Sequence, residues 1–166
     1  MLALSQNELR TWTPELNSLV ITDLDECTIN SDHRRNFCPA TGELDIPAWH
    51  RDSTPELIAK DSLRPWGHRF AELVSERGYD CFFAICTSRE FSEADYVFMA
   101  EILNMGERAD IWHRETGCMD SRESLKHKLF IKNVDLIAYN KVYFFDDKVK
   151  NVLEAEKLGI NGILVY

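Results

Sequence analysis

The sequence predicts an α/β fold built on a parallel sheet with helices on both faces, and three observations carry it. Short apolar runs at 19–21, 81–86, 142–145 and 163–165 suit buried strands. Segments of helical length lie between most of them, so that strand and helix alternate. The first three runs end in carboxylates or hydroxyls, and the crevice beyond the carboxyl ends of the strands is where open α/β sheets bind ligands.

Taken in order, the first strand sits in SLVITDLDECTIN and runs straight into Asp23 and Asp25. Residues two apart on an extended chain share a face, so both acids can point at one ligand. Two carboxylates that close repel unless a cation or a proton lies between them. A hard divalent cation held by carboxylate oxygens, with one acid left for nucleophilic or acid–base work, is the economical reading. Acids are also ordinary residues at strand ends and in turns. A polar segment at 31–64, broken by Pro39, Pro47 and Pro55, reads as an insertion after the first strand. A helix is expected at 66–77, then the strand at 81–86, which closes on Thr87, Ser88 and Arg89. Hydroxyls and a guanidinium suit phosphate oxygens, although the same residues can cap the helix that follows. That helix, 92–104, is marked by an apolar stripe of Phe91, Ala94, Phe98, Ile102 and Leu103.

A short strand at 110–113 and a helix at 121–131 come next. The strand at 142–145 repeats the design of the first by ending in Asp146 and Asp147. Adjacent carboxylates cost stability that a bound cation would restore. A helix at 148–158 stops at Gly159, as a C-terminal cap does, and a last strand lies at 163–165.

A chain of 166 residues, 45% of them hydrophobic, suits one domain over 1–166 with a full-sized core. No apolar run approaches the roughly 18 residues of a membrane span, and MLALSQNELR lacks the basic start and apolar centre of a secretory signal. Of the five cysteines, Cys81 and Cys86 sit inside an apolar strand. The set reads as buried thiols in a reducing cytoplasm, not as disulfides. No CxxC or HExxH pattern points to zinc. The net charge of −9 argues against a long basic groove for nucleic acid. Basic residues gather only locally, at His33-Arg34-Arg35, around Arg64, His68 and Arg69, and from Arg114 to Arg122. The expected partner is a phosphorylated nucleic-acid end or a nucleotide, with no membrane and no obligate protein partner.

In this order the motifs resemble those of the haloacid dehalogenase superfamily of aspartyl-phosphate phosphohydrolases. Its first motif is hhhDxDx(T/V), its second a Thr or Ser ending a strand, its third a Lys and its fourth a pair of acids. The resemblance implies a three-layer, Rossmann-like sheet, with Asp23 as nucleophile and Asp25 as general acid and base. It implies Thr87 and Lys126 as catalytic residues on the phosphate oxygens, and Mg²⁺ held by Asp23, Asp25, Asp146 and Asp147. Where the superfamily usually has Gly-Thr after the second Asp, this chain has Glu26-Cys27, with Thr28 one place later. The 31–64 insertion falls where the superfamily places a cap over the site. Its Phe37 and Trp49 are candidates to stack on a base, and equally to pack the insertion against the core.

His33-Arg34, Thr87-Ser88-Arg89-Glu90 and WHRETGCMDSRESLKHKLF are similar, more narrowly, to the phosphatase half of bacteriophage polynucleotide kinase–phosphatases and its stand-alone relatives. Placing Arg114 on that family's Arg puts Lys126 at the third motif and Phe130 on its closing Phe. Lys128, about 200° away around the helix, is the competitor. By this resemblance Ser88, Arg89 and Arg114 contact the substrate. The chain has no GxxxxGK(S/T) loop, so no kinase half is expected. The expected activity is a Mg²⁺-dependent phosphomonoesterase that acts through an aspartyl-phosphate and removes 3'-phosphates from nucleic-acid ends. A 5'- or 3'-mononucleotide phosphatase is the alternative, favoured by the acidic charge. A binding protein without turnover on the same fold is a third reading, opposed by the full set of Asp23, Asp25, Lys126 and Asp146, because a binder needs no general acid.

Overall fold

The computed structural model describes residues 1–42, 44–102 and 108–166, with the side chains of Ile46 and Ile102 left aside. It opens with β1 (Leu2–Leu4), α1 (Gln6–Thr11), β2 (Ser18–Thr22) and β3 (Ile29–Asn30). A 3-10 turn at Asp32–Arg34 leads to α2 (Ile46–Arg51), α3 (Pro55–Ile58), β4 (Ser62–Leu63) and α4 (Pro65–Arg77). The second half continues with β5 (Phe82–Glu90), α5 (Glu93–Ile102), β6 (Ala109–Arg114) and α6 (Arg122–Asn133), then β7 (Lys141–Asp146), α7 (Val149–Lys157) and β8 (Asn161–Val165).

Six strands form one sheet in the order β1-β8-β7-β2-β5-β6, and every pairing in it is parallel. Strand β2 lies at the centre, with Ile21 opposite Ala84 of β5 on one side and Phe144 of β7 on the other. From β2 the chain builds outward through β5 and β6, then crosses back to β7 and β8. The order therefore reverses beside β2, the kind of switch point at which such sheets bind ligands.

The strands alternate their side chains between two cores, as a period of two requires. Val20, Phe83, Ile85 and Phe145 face Leu9 of α1, Trp66, Phe70 and Leu73 of α4, and Phe98 of α5. Leu19, Ile21, Ala84, Cys86 and Phe144 face Phe130 of α6 and Ala155 of α7. This is the three-layer α/β architecture the sequence predicts. Among the described residues, no helix is long and apolar enough to cross a membrane.

The structure can be set beside expectation at several points. Strand β5 runs on to Glu90, because the polar residues after Cys86 still pair with β6 across a register shift. Elements β1 and α1 are too short for periodicity to reveal, although the Ser5–Glu8 capping box marks where α1 starts. Helix α5 spans Glu93–Ile102; Leu103 and Asn104 of the expected 92–104 helix lie outside the described residues. In the insertion, Arg34, one of the local basic group, is buried. It donates to both carboxylate oxygens of Asp61 at 3.0 and 2.6 Å and to Ser53 Oγ at 3.0 Å, and it lies 4.3 Å over the ring of Trp49. Thus Arg34 clamps the insertion together, and α3 packs on α5.

Candidate active site

Asp23 leaves the end of β2 with its amide donating to Phe145 O of β7 at 2.8 Å. Its own carbonyl accepts from Thr28 Oγ1 at 2.6 Å. Thr28 Oγ1 lies 2.9 Å from Thr22 Oγ1, which also accepts from Trp66 Nε1 at 2.9 Å. The threonine displaced by one place in the sequence thus closes the Asp23 loop from within. Helix α4 presses against that loop at Gly67, where a Cβ would stand 2.0 Å from Thr28 O.

Lys126 comes from α6 and is only 2% exposed. Its ammonium lies 2.7 Å from Asp23 Oδ1 and 2.5 Å from Asp146 Oδ2. Lys128 is exposed and reaches Asp120 at 2.8 Å instead, so the helix turns Lys126 inward. Burial would by itself depress the Lys126 ammonium, but Asp146 and Asp23 beside it hold it well above its ordinary value. Burial pushes the Asp23 carboxyl up to about 8, Lys126 opposing the rise and Asp146 adding to it. Asp146 is fully buried and satisfied: Oδ1 accepts from Lys148 N at 2.7 Å, and Oδ2 from Asn151 Nδ2 at 2.9 Å.

Carboxylate oxygens of Asp23, Asp146 and Asp147 all lie within 4.8 Å of one another. Three carboxylates here face one buried ammonium, and Lys148 touches Asp147 from the exposed rim at 2.5 Å. This all-oxygen, electron-rich set fits a hard divalent cation. Asp25, expected among the metal ligands, is not part of the cluster. Its Oδ1 is turned to Arg89 Nη1 at 3.2 Å and Ser31 Oγ at 3.3 Å, which leaves the acid beside the cluster.

Thr87 is buried within β5, just after its apolar run, its Oγ1 accepting from Arg89 N at 3.4 Å, and Ser88 reaches the cleft. Arg89 bridges Asp25 and Asp95, and Asp95 in turn accepts from Ser92 N at 2.8 Å and Ser92 Oγ at 2.7 Å. Arg114 lines the cleft but spends its donors on the carbonyls of Ser88, Cys118 and Asp120 at 2.8, 2.6 and 2.9 Å. Both arginines, expected to bind substrate, line the cleft and also hold the site's own loops. The cleft has a volume of about 420 Å³. Asp23, Asp25, Lys126 and Asp147 stand on the sheet side, and Leu44, Trp49 and His50 come from the insertion.

Sequence reasoning missed Asn151, Asp95 and Glu26. Asn151 lies five residues beyond Asp146, in the first turn of α7, a spacing that could have pointed to it. Asp95 is the partner of a buried arginine, and only the fold brings the two together. Glu26 was met as a departure from a motif, without a role.

A family model described as Bacteriophage T5 5'-deoxynucleotidase matches residues 7–156 of the chain. No curated protein matches it. Among solved structures, a chain of the Pnkp1/Rnl/Hen1 complex superposes with a TM-score of 0.56 at 16% identity, over 93% of this chain and 46% of that one. A chain of the Pnkp1/Rnl/Hen1 RNA repair complex gives 0.54 at 15%, over 91% and 42%. A "putative beta-phosphoglucomutase" from Thermotoga maritima gives 0.56 at 15%, over 88% and 83%. This chain spans less than half the length of the first two. At such identities the likeness concerns the fold alone.

Proposed function

The chain belongs to the bacteriophage T5 5'-deoxynucleotidase family; on that premise we propose that it is a phosphatase of haloacid dehalogenase type that hydrolyses 5'-phosphates of deoxynucleotides through an aspartyl-phosphate on Asp23. The observation that carries the mechanism is the placement of Asp23 beside Lys126 and Asp146, with Asp25 held apart by Arg89. Asp23 attacks phosphorus and forms the acyl phosphate. Asp25 protonates the departing alkoxide, then takes a proton from the water that cleaves the intermediate. Lys126 and Thr87 hold phosphate oxygens, with Ser88 at the cleft wall. Asp23, Asp146 and Asp147 would hold Mg²⁺, which when bound would neutralise charge on the transferring phosphoryl group.

A mononucleotide suits this cleft better than a long strand does. The cleft is small and walled by the insertion, the size of an ordinary small-ligand pocket, and the net charge is −9. The second reading, removal of 3'-phosphates from nucleic-acid ends, is favoured by the fold shared with the Pnkp1-containing complexes and by Arg35, Arg122 and Lys148 along the cleft. Phosphate release from 5'- and 3'-deoxynucleotides and from 5'- and 3'-phosphorylated oligonucleotides decides between them. The highest kcat/KM is expected on a 5'-deoxynucleotide; a higher value on the 3'-phosphorylated oligonucleotide would establish the second reading instead.

A further inference from the structure

Glu26 has a φ of 64°, in the left-handed region, which costs a residue with a Cβ about 1 kcal/mol or more. Such a conformation persists where the surroundings over-determine it, and here the carboxylate is tied from both ends of the insertion. Oε1 accepts from Ser31 N at 3.2 Å and lies 3.2 Å from Ser31 Oγ and 3.4 Å from Arg35 Nη1. Oε2 accepts from Arg64 Nη1 at 2.5 Å. Ser31 and Arg35 begin the insertion and Arg64 ends it, beside the pairing of Ile29 with Leu63 and of Asn30 with Ser62. One side chain therefore closes the neck of the insertion from the turn that follows Asp25.

The rest of the insertion follows that neck. Arg34 welds Asp61, Ser53 and Trp49 into one unit, and the wall it braces carries Leu44, Trp49 and His50 into the cleft, with Arg35 beside them. An apolar wall flanked by a guanidinium is suited to a flat heteroaromatic base. We propose that Glu26 is a positioning residue for the base of the nucleotide: it fixes Arg35 and the insertion wall relative to Asp23, and so sets the preference for nucleotides over simple sugar phosphates. A glycine at this position would relax the backbone but leave the neck untied.

The proposal rests on the phosphatase reading above. Its test compares a 5'-deoxynucleotide with 2-deoxyribose 5-phosphate, which offers the same primary alkoxide leaving group without the base. In Glu26→Gly, kcat/KM on the nucleotide should fall at least tenfold more than on the sugar phosphate, with the extra loss in KM. Inhibition by the corresponding deoxynucleoside, which has no phosphate, should weaken about tenfold as well. Glu26→Gln, whose single amide oxygen can accept from Ser31 or from Arg64 but not from both, should fall between the wild type and Glu26→Gly on both readouts. Equal losses on the two substrates would mean that Glu26 acts on the chemistry through Asp25 or on the fold at large, and would overturn the proposal alone. A wild-type protein that hydrolyses neither substrate would overturn the 5'-deoxynucleotidase reading and this proposal with it.

Discussion

The ammonium of Lys126 lies 2.7 Å from Asp23 Oδ1, at the centre of a cluster that is otherwise acidic. A preorganised cation at that position offsets charge on the nucleophile and on the phosphoryl group it receives, and losing such a contact commonly costs on the order of 10²-fold or more in rate. Lys126→Ala should lose at least about that much in kcat at saturating Mg²⁺. It should also unfold at lower temperature, because removing one partner of a buried ion pair costs about 3–5 kcal/mol. Lys128→Ala, which loses only an exposed contact with Asp120, should change kcat less than several-fold. Steady-state kinetics of the two variants check the assignment, and the reverse ranking would move the third motif to Lys128.

Much of this arrangement is legible in the sequence, for a physical reason. Strands β2, β5 and β7 are buried on both faces, so they read as continuous apolar runs, and Asp23, Thr87 and Asp146 stand where those runs end. The choice of Lys126 over Lys128 was not available from periodicity, since both border the stripe of Leu125 and Leu129; it depends on how α6 docks. The roles of Arg34, Arg89 and Arg114 were also out of reach. An arginine beside a motif looks the same in sequence whether it meets a ligand or a buried carboxylate, and their partners Asp61, Asp95 and the carbonyl of Ser88 are supplied by the fold.

Asp23→Asn tests the nucleophile and the electrostatics together. An amide cannot form the acyl phosphate, so phosphate release should fall to background while the far-ultraviolet circular dichroism stays native. Burial raises the Asp23 carboxyl from 3.8 to about 8. A carboxyl whose pKa is higher in the folded state destabilises that state as pH rises from its unfolded to its folded value. In metal-free buffer the neutral variant should therefore gain in Tm relative to wild type between about pH 4 and pH 8. A gap that stays constant over that range would contradict the assignment.

The three-carboxylate set makes a direct prediction about cation binding. Chelation should abolish activity and Mg²⁺ should restore it. A ligand bound only by the folded state raises stability by RT ln(1 + [L]/Kd), so Mg²⁺ should raise the Tm of the wild type in a concentration-dependent way. Asp147→Asn should blunt that thermal shift without preventing folding, because Asp147 is the least buried member of the cluster. An unchanged shift in the variant would remove Asp147 from the set.

The cysteines differ sharply in environment, and alkylation should report it. Burial pushes Cys86 up to about 12 and Cys27 well above its ordinary value. Cys38 is lowered, chiefly by a hydrogen bond with Thr41, and is not buried. Since the thiolate is the reactive form, iodoacetamide near pH 8 should modify Cys38 in the native protein and spare Cys27 and Cys86 until it is unfolded. Peptide mass spectrometry at short reaction times measures this directly.

Gly67 offers the sharpest link between packing and catalysis. A Cβ there would meet Thr28 O at 2.0 Å and Thr28 C at 3.0 Å, and these are backbone atoms that no rotamer change can move. Thr28 O also accepts from Arg64 N at 3.0 Å, and Thr28 Oγ1 holds the carbonyl of Asp23. Gly67→Ala must therefore push α4 away from the loop or the loop away from β2. Overpacking of this kind costs about 1–3 kcal/mol, which corresponds to a loss of roughly 2–12 °C in Tm for a chain of this size. The displaced loop carries Asp23, the proposed nucleophile, and small misplacements of reacting groups are expensive in rate, so kcat should fall at least about tenfold. Gly42→Ala is the control: its φ of 69° strains an alanine, but nothing lies within 4 Å of the added Cβ. That variant should lose a few degrees in Tm and keep its kcat within about twofold. If Gly67→Ala loses stability but keeps full kcat, the contact between α4 and Thr28 does not position Asp23.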